Sequence, residues 1–334
     1  MDRNGGNSGK SSGPAPSEVL CHYWHPVARS SEVTDKPFKA KLLNRPLVLW
    51  QSERRVAAFY DLCIHRGTPL SLGWVDNGEL VCAYHGWRYA ASGSCTRIPS
   101  LPPDRSIPEK ARAKAFNTKE RYGLIWVCLD EPKHEIPEFP PEYNDPSFRW
   151  EGFETDGMWK ANAARMIENL ADYSHFPFVH PGTLGDPENP QSEPITIEPL
   201  DGGFQYDIPQ PVNRLTRDNP ARQTYKLYLP FMLAIQRRQP GGFQRQTNIF
   251  LCSPVSNNET RFFRFMGRNF SDFQSDEELN RRHRLTFEQD KGIVESQRPE
   301  ELPLDLAEEL HVRGPDTPAI EYRRRLRDLG VHWI

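Results

Sequence analysis

LCIHRGTPL, residues 62–70, and VCAYHGW, residues 81–87, decide what kind of protein this is. Each sets a cysteine within three residues of a histidine: Cys63 with His65 and, after sixteen intervening residues, Cys82 with His85. A lone cysteine is most often a small buried hydrophobe, the reading adopted for Cys21, Cys95, Cys128 and Cys252. A thiolate beside an imidazole, twice in one short region, is instead the donor set of a metal centre. Gly67, Pro69 and Gly86 let the backbone turn tightly around it.

Two thiolates and two imidazoles suit tetrahedral zinc, so a structural zinc site stands as one reading. Zinc fingers, however, usually pair cysteine with cysteine and histidine with histidine, whereas each loop here carries one of each. That arrangement fits a Rieske [2Fe–2S] cluster, in which two cysteines hold one iron and two histidines the other.

The surroundings suit such loops. KLLNRPLVLW, RVAAFYDLC, ELVCAYHGWRY and YGLIWVCLD, between residues 41 and 130, are strand-like and separated by turn residues. They predict an all-β unit over 20–135, after a polar tail at 1–19 with neither the apolar segment of a secretory signal nor a transit peptide's arginines. The proline-rich run DEPKHEIPEFPPEYNDP, residues 130–146, marks a boundary, and 136–334 reads as a mixed unit. KANAARMIENLADYS, DEELNRRHRLTFEQDKGIVESQ and IEYRRRLRDLG read as helices, QTYKLYLPFMLAIQRRQ and ETRFFRFMGRNF as strands. The net charge of -3 gives no reason to expect nucleic acid or an anionic membrane as partner. No apolar run nears the roughly 20 residues needed to span a bilayer. The expected location is the cytoplasm.

A cluster that carries electrons needs an acceptor. ENLADYSHFPFVH, residues 168–180, supplies His175 and His180. Five residues advance an ideal helix by about 500°, so the two imidazoles would point about 140° apart. Pro177 is expected to break the helix and swing His180 back towards His175, giving two donors of a 2-His-1-carboxylate triad. In the helix over 275–297 the apolar stripe collects Leu279, Phe287, Ile293 and Val294. Asp290 falls inside it, about 60° from Phe287 and about 40° from Val294, while Glu288 and Glu295 point to the solvated side. A buried aspartate needs a partner: iron, or an arginine such as Arg165. Without a Gly-rich nucleotide cradle, electrons must come from a separate NAD(P)H-dependent reductase or ferredoxin.

CIHRGTPLSLG and CAYHGWRYAASGSC resemble the Rieske domain of the Rieske non-haem iron oxygenases, and the resemblance extends over nearly the whole chain after the tail. Ala83 stands where many members have proline. The loops lack the extra cysteines of respiratory Rieske proteins, which favours the oxygenase branch. The resemblance implies an α+β chain: an N-terminal all-β [2Fe–2S] domain, then an antiparallel-sheet and helix catalytic domain of helix-grip (START-like) type. It implies a cluster held by Cys63, His65, Cys82 and His85, mononuclear Fe(II) held by His175, His180 and Asp290, and O2 as co-substrate. Asp172 matches the family's aspartate that bridges an iron-ligand histidine to a cluster histidine of a neighbouring subunit. Three residues before His175, it is expected to share a helix face with it. Asn169 matches an asparagine found near the iron. The family commonly forms a homotrimer.

RYGLIWVCLD, SHFPFVHPGTLGD and EYRRRLRDLGV look closest to the saxitoxin-type hydroxylases, within an α-subunit-only branch that includes vanillate and dicamba demethylases. The implied activity is monooxygenation, by hydroxylation or oxidative demethylation, of a small molecule; arene cis-dihydroxylation is the alternative reaction. An electron-transfer Rieske protein or a zinc-stabilised binding module are the alternatives of another class. Substrate-pocket candidates come from 205–265: Phe231, Met232, Gln236 and Phe250.

Overall fold

Leu47, Val48, Leu49 and Trp50 are consecutive and all buried, which a strand allows only when both of its faces are covered. Alternation divides them. Val48 and Trp50 pack with Phe59, Cys63, Leu70, Leu80, Cys82 and Tyr89; Leu47 and Leu49 join the core that continues into the second half of the chain. The sheet containing this strand is therefore sandwiched between the cysteine-bearing loops and the second unit.

The computed structural model describes residues 18–53, 55–152, 157–181, 184–188, 190–191, 193–209, 222–239, 241–270 and 276–332. The expected tail lies outside them except for Glu18 and Val19. These two belong instead to the folded unit: Glu18 opens a 3-10 turn, Glu18–His22, and Val19 packs on the core.

The first unit has a six-stranded antiparallel sheet, in the order His25–Arg29, Leu124–Cys128, Ala115–Arg121, Val56–Tyr60, Arg45–Gln51, Phe38–Leu42. A four-stranded meander, Trp74–Asp76, Glu79–Val81, Arg88–Tyr89, Cys95–Arg97, lies beside it. The second unit is an eight-stranded antiparallel sheet. It runs Arg149–Gly152, Glu259–Arg268, Arg245–Ser256, Met232–Arg238, Arg222–Tyr228, Gly203–Pro209, Glu198–Leu200, with Gly157–Trp159 also on Glu259–Arg268. The change of sheet falls between Cys128 and Arg149.

One face of the large sheet, with Met232, Ala234, Ile249, Leu251, Phe263 and Phe265, packs on Trp24 and Trp126 of the first unit and on Ile136 and Phe139. The other, with Tyr206, Tyr225, Leu233, Ile235 and Phe250, faces the helices. These are α1 (Ala163–Ala171), the single turn α2 (Phe176–Val179), the long α3 (Asp276–Val294) and α4 (Thr317–Asp328). Asn162 caps α1, its side chain accepting from Ala164 N at 2.9 Å. Buried Arg165 and Arg323 fasten α1 to its surroundings: Arg165 pairs with Glu309 at 2.8 Å, and Arg323 with Glu168 and Glu309 at 2.6 Å. Among the described residues no helix is long and apolar enough to cross a membrane.

Candidate metal centres

The two cysteine–histidine loops share one backbone design. The amide of Cys63 donates to Thr68 O at 2.8 Å and its carbonyl accepts from Gly67 N at 2.9 Å; Cys82 does the same with Trp87 O at 2.9 Å and Gly86 N at 3.0 Å. Gly67 and Gly86 close the turns at φ 75° and 67°, in the left-handed region where a side chain is strained. The cysteines are buried while His85, on the rim, is exposed. The rings of His65 and His85 approach to 4.5 Å between centroids, and His65 stacks on Trp87 at 4.5 Å and 10°. All six cysteines are buried free thiols. Burial, and then the adjacent Cys63 thiol, push the Cys82 pKa up. The Nδ1 of His65 is buried with no hydrogen-bond partner, a cost that an electrophile would remove. Behind the loops, the Tyr89 hydroxyl lies 3.2 Å from Cys63 Sγ.

The second site forms where α1 stops. Asp172 is the C-cap of α1, with extended backbone at ψ 141°, so it does not share a helix face with His175 as expected. The contact is made by a turn instead. One oxygen, Oδ1, accepts from the amide of Ser174 at 2.9 Å and from its hydroxyl; the other, Oδ2, accepts from His175 N at 3.1 Å and lies 2.9 Å from His175 Nδ1. The helix also breaks earlier than expected. Pro177 stands in the first turn of α2, where its missing N–H costs nothing, and the break is at Asp172.

His175 and His180, at the two ends of α2, have ring centroids 5.3 Å apart. Asp290, 4% exposed, meets both: its Oδ1 lies 3.3 Å from His175 Nε2 and 3.1 Å from His180 Nε2. The donor atoms of all three residues lie within 4.8 Å of one another. Asp290 Oδ1 and His175 Nε2 are buried and make no hydrogen bond of adequate geometry. Burial opposes charge on His175, but Asp172 and Asp290 outweigh it and push its pKa up to about 9. Burial likewise opposes ionisation of Asp290, and the two imidazoles overcome it and hold its pKa below the usual carboxylate value. Arg165, the other partner considered for Asp290, is engaged by Glu309.

The expected stripe of α3 needs two amendments. Ile293 is 49% exposed and does not belong to it, whereas Phe287 and Val294 do; the placement of the Leu279 side chain lies outside the described residues. Glu288 is exposed, but half-buried Glu295 accepts from Lys160 N at 2.8 Å and is not a free surface carboxylate. Asn169 is half-buried, its carbonyl accepting from Asp172 N at 3.2 Å.

The pocket candidates separate. Phe250 is on the helix side, 6.0 Å from the ring of Phe287, one turn before Asp290. Met232 and Gln236 are on the opposite side: Met232 packs with Trp24 and Trp126, and Gln236 donates to Glu142 Oε2 at 2.7 Å. The pairs Met232↔Leu251 and Leu233↔Phe250 show why, since cross-strand partners share a face. Phe231, in the hairpin turn, faces His25 of the first unit at 6.1 Å. Residues 210–221 and 240, within the expected pocket range, lie outside the described residues. Two further residues, not among the sequence candidates, join these sites: Gln289, whose Oε1 is 3.0 Å from His180 Nδ1, and Tyr89, beside Cys63. Each had a signal: Gln289 adjoins Asp290, and Tyr89 follows the second loop in a strand.

Comparison with known proteins matches both halves. Residues 23–116 match the Rieske [2Fe-2S] domain, and residues 159–331 the vanillate O-demethylase oxygenase C-terminal domain. The chain is 35% identical to the methylxanthine N1-demethylase NdmA of Pseudomonas putida, covering 93% of this chain and 90% of that protein. It is 29% identical to the methylxanthine N3-demethylase NdmB of the same organism, with coverages of 93% and 90%. The solved structure of NdmA with caffeine superposes with a TM-score of 0.83 at 34% identity, over 93% of this chain and 91% of that one.

Proposed function

We infer the reaction from one premise: the chain belongs to the Rieske non-haem iron oxygenases. It is an oxidoreductase that carries a [2Fe–2S] cluster and a mononuclear iron, uses O2, and takes electrons from a separate reductase or ferredoxin. When bound, the cluster delivers electrons and the iron activates O2 for insertion into a C–H bond. We assign Cys63, His65, Cys82 and His85 to the cluster, and His175, His180 and Asp290 to the iron. The observation that carries the second assignment is the convergence of two imidazoles on one buried carboxylate oxygen that has no hydrogen bond of its own. Thiols within and imidazoles without, on two matched loops, support the first.

The remaining residues take supporting parts in this reading. Asp172 orients His175 through Nδ1 and offers a route to His85 of a neighbouring copy. Asn169 sits one turn away on α1. The pocket wall is the helix-side row Tyr225, Ile235, Asn248, brought together by strand pairing, with Phe250 and Phe287 beside it. Exposed Leu72, Trp74 and Tyr84 near the cluster loops and exposed Phe178 beside the histidines suit burial in a homotrimer. We place the protein in the cytoplasm and its electron source with NAD(P)H.

The reaction that these relatives favour is oxidative demethylation of a small N-methylated heteroaromatic compound. They favour the demethylase side of the expected branch over the saxitoxin-type hydroxylases, and over arene cis-dihydroxylation. One methyl C–H becomes C–OH; the carbinol then expels formaldehyde and leaves N–H. Two electrons and two protons reduce the second oxygen atom to water. Turnover with a reductase and NADH on a panel of methylxanthines, aryl methyl ethers and guanidinium alkaloids tests this. Formaldehyde in step with NADH oxidation on a methylxanthine is the expected result. Hydroxylated or cis-diol products without formaldehyde across the panel refute it.

A further inference from the structure

The two histidines of the mononuclear site are held from behind by unlike groups. Nδ1 of His175 faces the carboxylate of Asp172 at 2.9 Å; Nδ1 of His180 faces the amide oxygen of Gln289 at 3.0 Å. A neutral imidazole has one N–H and one lone pair, and an acceptor at one nitrogen fixes the N–H there. We infer that Gln289 is the positioning residue for His180: by accepting the Nδ1 proton it holds the tautomer whose Nε2 lone pair points at the Asp290 side of the site, where Oδ1 lies 3.1 Å away. This rests on the assignment of His175, His180 and Asp290 as iron ligands.

The placement follows from α3. Gln289 and Asp290 are consecutive, so their side chains leave the helix about 100° apart. The fully buried His180 ring fits between them, with the carboxylate in front of Nε2 and the amide behind Nδ1. Exposed Glu288 meets neither nitrogen. The choice of an amide also has an electrostatic effect. A carboxylate behind a ligating imidazole strengthens it as a donor more than an amide does, so His175 is the stronger donor and His180 the weaker. The site then holds two carboxylates, Asp172 and Asp290, and not three.

The test is Co(II) affinity, by calorimetry and by the Co(II) visible spectrum, in protein with its cluster intact and its mononuclear metal removed. Gln289→Leu keeps the volume and deletes the acceptor; affinity is expected to fall about 10–100-fold, with the cluster's visible and EPR spectra unchanged. Gln289→Glu keeps an acceptor oxygen and is expected to bind as tightly as wild type or more tightly. A loss smaller than tenfold in Gln289→Leu overturns the inference, as does a Gln289→Glu variant that binds as weakly as the leucine variant. Should Gln289→Leu not fold, Gln289→Met is read by the same limit. Asp290→Ala separates the two levels of the reasoning. If it keeps wild-type Co(II) affinity, the ligand assignment itself fails. If it loses the metal while Gln289→Leu keeps it, only the role of Gln289 fails.

Discussion

Replacing Tyr89 with phenylalanine removes one hydroxyl from a wholly buried ring and leaves its packing on Phe59 in place. That hydroxyl is 3.2 Å from Cys63 Sγ. Burial first, and then the neighbouring Cys63, hold the phenol far above its ordinary pKa, so it keeps its proton and donates once the thiol is a thiolate. A hydrogen bond to a charged acceptor contributes about 1.5–3 kcal/mol. Only the part that grows when the cluster gains an electron enters its potential. Taking that part as about 1 kcal/mol, and about 59 mV per 1.36 kcal/mol for one electron, Tyr89→Phe is expected to lower the potential by about 40 mV. The shift should be flat from roughly pH 6 to 9, because the donor does not titrate there. Voltammetry of the cluster, with iron and sulfide content as the loading control, gives the number. A potential unchanged within about 10 mV, or raised, at full cluster content would show that Tyr89 does not donate to the sulfur.

Asp290→Ala should retain the cluster spectrum, lose the mononuclear iron on metal analysis and end turnover. Asp172→Asn should keep both centres but slow cluster reoxidation in a single turnover with substrate and O2; a wild-type rate there refutes the bridging role while leaving the ligand assignments standing. Glu295→Ala leaves the Lys160 N–H without its acceptor and should cost about 0.5–1.5 kcal/mol in a denaturant melt, whereas Glu288→Ala, at an exposed position, should be silent in both stability and iron content.

What the sequence alone makes legible is mostly local. Cys63 with His65 and Cys82 with His85 are legible because their loops close on themselves, through bonds no longer than five residues. Asp290 is legible because helical spacing places it beside Phe287 and Val294, and α3 buries it there. Ile293 shows the limit of that method: an apolar residue next to the stripe, it is nonetheless 49% exposed. Met232 and Gln236, on the side of the sheet away from the helices, show a different limit. Strand residues alternate in facing, and which parity faces the helices depends on register with Arg245–Ser256. Nothing local in MLAIQ states that Leu233, and not Met232, pairs with Phe250. Gln289 is a third case, since its partner His180 lies 109 positions away in the chain.

The break at Asp172 explains why the histidines converge although their spacing on a continuous helix would separate them. A helix end leaves carbonyls without intrahelical partners, and here Tyr206, on the sheet, donates its hydroxyl to Ala171 O, the last residue of α1. With the backbone extended at Asp172, the carboxylate can fold forward and close a turn on the amides of Ser174 and His175. The oxygen that accepts from His175 N also reaches His175 Nδ1, so closing the turn and orienting the imidazole are one act. Chain direction then restarts at Phe176, and one turn of helix with Pro177 in its opening carries His180 around to the same carboxylate that faces His175. An aspartate whose two oxygens both accept from the turn is part of the site's frame, and its side chain stays 30% exposed. Substitution by asparagine keeps an oxygen for the turn but puts an N–H₂ or a neutral oxygen beside Nδ1. That is why Asp172→Asn is expected to change how His175 is held and charged and to cost one of the two amide contacts of the turn, while the remaining oxygen still closes the other.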